Sequence, residues 1–91
     1  MDYFTENDIQ NLAKSINELH RMAFDIYKPV AEDLCSRIAT PDEVEHTLDC
    51  MLDFCGDDAI LVLFKNICRH YAKIYPDIIE YEVLAYREMY E

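Results

Sequence analysis

Three residues near the middle of the chain have the types and spacing to do chemistry together: His46, Cys50 and Asp53. At i, i+4 and i+7 they share one face if this stretch is helical, with Glu43 one turn earlier. An imidazole and a thiolate four residues apart can both reach one Zn²⁺, which accepts nitrogen, sulfur and carboxylate ligands in a tetrahedron. No CxxC or HxxxH pair accompanies them, and Cys55, Cys68 and His70 fall on other faces or helices. His46, Cys50 and Asp53 are therefore candidate ligands only, and the expectation is no bound metal and no cofactor.

Other chemistry meets similar gaps. Glu43-Val44-Glu45-His46 has the Glu-x-x-His form of di-iron bundles, but such centres need a second copy and the chain has none. Cys68 and His70 are two apart, so on a helix they point to opposite sides and cannot form a nucleophile–base dyad. There is no glycine-rich phosphate loop, nucleophile elbow or HExxH. Nothing in the sequence assembles a reaction centre, and an enzyme is not expected.

Charge is the stronger signal. The 91 residues carry 19 acids against 8 bases, a net charge of −11. This opposes direct binding to nucleic acid or to an anionic membrane surface, both of which need a positive field. Residues 32–58 hold nine acids and one base, Arg37, whereas residues 59–76 hold Lys65, Arg69, Lys73 and no acid. The simplest expectation is that this basic edge pairs with neighbouring acidic helices. The alternative is an acidic surface of Asp42, Glu43, Glu45, Asp49, Asp53 and Asp57 that steers a basic protein partner. In its sharpest form, this surface mimics a phosphate array and inhibits a DNA- or RNA-binding protein. A helix-turn-helix around Gly56 is disfavoured, because the presumed reading helix would begin with the apolar run Ala59–Phe64.

The elements that must position these residues are read from punctuation and periodicity. One glycine and three prolines leave little room for the turns of a many-stranded sheet. Thr5 predicts an N-cap with a Phe4–Ile9 staple, and Ile9, Leu12, Ala13, Ile16, Leu19, Ala23 and Ile26 trace one apolar stripe. Pro29 should kink or restart the helix, leaving Val30, Leu34 and Ile38 to a short second one. Thr40-Pro41-Asp42-Glu43 predicts a capping box with proline at the first helical position, and Gly56 a left-handed closing residue. Asp57 or Asp58 caps a fourth helix to about Tyr75, apolar on most sides and hence central. Pro76 introduces a fifth, about Asp77 to Met89.

The chain thus reads as a single all-α domain over residues 1–91, a compact bundle of four to five short helices. No apolar run approaches a membrane span and the N-terminus lacks a signal-peptide pattern, so a cytoplasmic location with reduced thiols is expected. The last helix is apolar on two sides. Ile79, Val83, Tyr86 and Tyr90 are accordingly expected in a self-association interface. The predicted role is a small acidic protein–protein interaction module, most simply a homo-oligomer.

Overall fold

The computed structural model describes residues 6–91. Apolar residues at spacings of three and four close there into four helices: α1 Glu6–Ser36, α2 Pro41–Leu52, α3 Asp58–Tyr71 and α4 Pro76–Tyr90. There is no strand among the described residues. The Thr5 cap and the Phe4 staple lie outside them, as does the side chain of Ile9.

Two expectations change. The stretch 30–38 is not a separate helix, because α1 runs through Pro29 to Ser36. A mid-helix proline costs about 3 kcal/mol, but Ala31 and Leu34 beyond it are buried in the core, and that packing carries the helix onward. Gly56 is not left-handed, since no residue among those described has positive φ. Instead α2 unwinds through tight turns, with Phe54 N donating to Met51 O and Cys55 N to Leu52 O at 2.9 and 3.2 Å.

The start signals act as read. Thr40 accepts from Glu43 N, and the Glu43 carboxylate returns to Thr40 N, which completes the capping box. Asp57, rather than Asp58, caps α3 by accepting from the amides of Ala59 and Ile60. Helix α3 packs against all three other helices, while α2 and α4 also pack together. Its inward stripe of Ile60, Phe64, Ile67, Cys68 and Tyr71 meets Val44, Leu48 and Met51 of α2 in one core.

Tyrosines fasten the loop between α1 and α2. The Tyr71 hydroxyl lies 2.6 Å from Leu34 O and 2.9 Å from Arg37 O as donor, and accepts from Ala39 N at 2.9 Å. Tyr75 stacks on Tyr71 with 5.7 Å between ring centroids and donates to Ala39 O at 2.6 Å. Tyr71→Phe leaves buried backbone groups without a partner and should cost about 2 kcal/mol, read as a lower urea midpoint with unchanged m.

The molecule is not compact. Its extents are 54 × 26 × 18 Å and its radius of gyration is 15.8 Å, against about 12 Å for a compact chain of this length. The cause is α1, whose 31 residues reach about 46 Å at 1.5 Å per residue. Its C-terminal half lies in the body. Its N-terminal half projects as an arm.

Candidate interaction surface

Along the arm, from Asn7 to Leu19, every described side chain is exposed. The body begins at His20, whose Nδ1 lies 3.5 Å from the Asp57 carboxylate and whose ring meets Phe54 edge-on. From there Ala23, Ala31 and Leu34 are buried. The apolar stripe of α1 consequently divides: its lower part is core, whereas Leu12, Ile16, Leu19, Met22 and Ile26 remain 47–61% exposed. At the foot of the arm they run into a shallow groove shared with Ala23, Tyr27 and Phe54.

Lys14, Glu18, Arg21, Asp25 and Lys28 lie off this stripe, whereas Asp8 falls one turn before Leu12. Asp8, Glu18 and Asp25 balance Lys14, Arg21 and Lys28, so residues 7–28 carry no net charge with His20 neutral. The excess negative charge belongs to the rest of the chain.

The α4 residues expected at an interface are engaged within the chain. Ile79 is buried at 7% exposure, and Val83 and Tyr86 pack on the core half-buried. Tyr90 lies against Tyr86 and donates its hydroxyl to Leu52 O at 2.6 Å. The exposed large apolar side chains of α4 are Tyr81, Leu84 and Met89, together with Tyr90 at the edge of exposure.

Among the proposed metal ligands, Cys50 Sγ and His46 Nε2 are 3.7 Å apart across one turn. Asp53 is exposed beyond them, and no group of three or more His, Cys, Asp or Glu among the described residues is placed to hold a metal. The four cysteines are free thiols. Burial pushes the Cys55 thiol up to about 11. Cys68 rises to about 12 through burial, with smaller contributions from Glu82 and Cys55. Both thiols thus stay protonated, which makes them small apolar groups rather than nucleophiles.

The acidic surface is real but uneven. Glu43 is held by Arg37, which bridges it to Asp33 with 2.9 Å contacts to each, and Asp57 serves as the α3 cap. Asp42, Glu45 and Asp49 on α2, with Asp53 at its C-cap, form an exposed row, with no ion pair among the described residues. Nor do Lys65, Arg69 and Lys73 form an ion pair among the described residues, so the expected pairing of this basic edge with neighbouring acidic helices is not seen there. Lys65 and Arg69 instead line a groove between α3 and α4.

One residue the sequence reading missed lies beneath the acidic row. Glu82, on α4, is fully buried; neither carboxylate oxygen accepts a hydrogen bond, and the Asp49 carboxylate is the group placed to accept one from the protonated acid. Burial raises its pKa to about 8, with Asp49 and then Glu45 adding to the shift. Its position was a legible clue, because Ile79, Glu82 and Tyr86 share the helical spacing of a buried stripe.

No helix among the described residues is long and apolar enough to cross a membrane. Comparison with family models, curated proteins and solved structures finds no match, so the functional reading rests on this geometry.

Proposed function

We propose that this chain is an acidic protein–protein interaction module that self-associates through the arm of α1. The observation that carries the reading is the exposure of Leu12, Ile16, Leu19, Met22 and Ile26 along one neutral helix face. In the sequence, Ile9, Leu12, Ile16, Leu19, Ala23, Ile26 and Val30 alternate spacings of three and four; Ala23 and Val30 turn into the chain's own core, so the seam open to a partner runs from Leu12 to Leu19, with Ile26 exposed beyond it. Isoleucine, alanine or valine takes one seam position, and leucine or isoleucine the other. β-branched residues at the first and leucine at the second favour a parallel pair of strands.

Area supports a second copy as the occupant. Five half-exposed aliphatic side chains present on the order of 500 Å² per copy, or about 1,000 Å² for a pair, the lower bound for a specific interface. Flanking positions Ala13, Ser15, His20 and Met22 carry no fixed charge, so no like-charge contact opposes the arms along these edges of the seam. Sedimentation equilibrium tests this: a dimer is expected at tens of micromolar, with little change on raising salt. A strict monomer at high micromolar concentration removes the proposal.

The unpaired row Asp42, Glu45, Asp49 and Asp53 favours a second reading, an imitation of nucleic-acid phosphates on a basic protein. Its signature is opposite. Capture of a basic DNA- or RNA-binding protein should weaken steeply with salt and compete with that protein's nucleic acid. Asp49→Asn with Asp53→Asn should reduce it by about tenfold, or about 1.4 kcal/mol.

A further inference from the structure

The geometry points to a binding site for a single-chain amphiphile with a carboxylate headgroup, in the groove between α3 and α4. The groove has a volume of about 240 Å³. Its floor is Leu61, Phe64 and Cys68 from α3 with Val83 and Tyr86 from α4, and its mouth carries Lys65, Arg69, Arg87 and Glu91. Three of the chain's eight bases therefore surround one apolar depression in a molecule of net charge −11. Lys65 and Arg69 have no ion pair among the described residues. Arg87 Nε holds the exposed Glu91 carboxylate at 3.4 Å, so a carboxylate already rests at the mouth.

Size and charge together select the occupant. At about 240 Å³ the groove takes the end of one narrow acyl chain, with the headgroup left at the mouth. It is too small for the whole apolar face of a helix, which needs several side-chain pockets in register. Burial keeps the Cys68 thiol protonated, with its pKa near 12, so no negative charge develops on the floor against the ligand. A cationic amphiphile would meet like charge at the mouth, and a neutral one would forgo the charge-assisted contacts that lysine and arginine offer a carboxylate. This site is separate from the arm and does not depend on self-association.

The probe is decanoate, titrated into the intact protein by calorimetry below its micellar concentration. Saturable binding at one site per chain is expected, with decanol and decyltrimethylammonium weaker by at least about tenfold. Lys65→Glu with Arg69→Glu, both exposed and away from the core, should weaken decanoate by a similar factor at unchanged helical circular dichroism. Val83→Trp should fill the groove and abolish binding, whereas Leu19→Lys on the arm should leave it intact. Equal affinity for the three amphiphiles, decanoate binding that survives the charge reversals, or no saturation by about 1 mM each overturns the proposal.

Discussion

Ile16→Lys and Leu19→Lys are each expected to yield a monomer with the helical content of the parent. Both side chains are about half exposed in the isolated chain, at 47% and 54%, so neither substitution opens a cavity in the core. In a paired arm each residue meets its counterpart at the seam. One substitution therefore removes two buried aliphatic groups and brings two ammonium groups together. Losing about 1.5–3 kcal/mol per aliphatic side chain, with like-charge repulsion in addition, should weaken self-association by at least about 100-fold. Lys14→Ala, on the charged back of the arm, is the control and should leave the dimer unchanged. If the seam variants sediment like the parent, the arm is not the interface. If the parent itself is a monomer, the module reading loses its support.

The second large effect belongs to Glu82. Its folded-state pKa of about 8 lies above the ordinary 4.5 because burial, and then Asp49 and Glu45, penalise the carboxylate. Between those two pH values the folded chain holds a proton that the unfolded chain has released. Folding stability due to this group accordingly falls as pH rises through the window, by on the order of 3–5 kcal/mol in all. Glu82→Met removes the charge and the unpartnered oxygens at nearly constant volume. At pH 8 the variant should melt higher by about 10 °C or more, and at pH 5 by only a few degrees. Glu82→Gln should flatten the same pH dependence while leaving a buried amide to satisfy. Melting is compared at one protein concentration, because self-association raises the midpoint by mass action. An equal difference between parent and Glu82→Met at both pH values would show that Glu82 is not titrating inside the fold.

The arm and Glu82 also explain what can be seen from a stretch of chain and what cannot. Thr40-Pro41-Asp42-Glu43 and Asp57 start helices as expected, because a cap involves residues only two or three positions apart and its hydrogen bonds close locally. The buried face of α2, Val44, Leu48, Met51 and Leu52, follows equally from helical spacing. Helical periodicity says which side of an element is apolar; it does not say whether anything covers that side. The stripe of α1 is continuous in sequence, yet the body covers it only in part beyond His20, so Leu12 and Ala23 keep one pattern and opposite environments while Ile26 stays exposed. The same limit hid from the sequence that Ile79 is buried in its own core and that Val83 and Tyr86 pack against it half-buried.

By itself the sequence determined the helical class, the start signals of α2 and α3, and a strongly negative chain. Tertiary structure alone decided that α1 crosses Pro29 without a break and that the Tyr71 hydroxyl ties down a loop more than thirty residues earlier. It also decided that Glu82 is enclosed and that Lys65 and Arg69 line a groove. The reason is range: caps and stripes are settled within a turn or two of helix, whereas burial and pairing depend on which distant segments arrive.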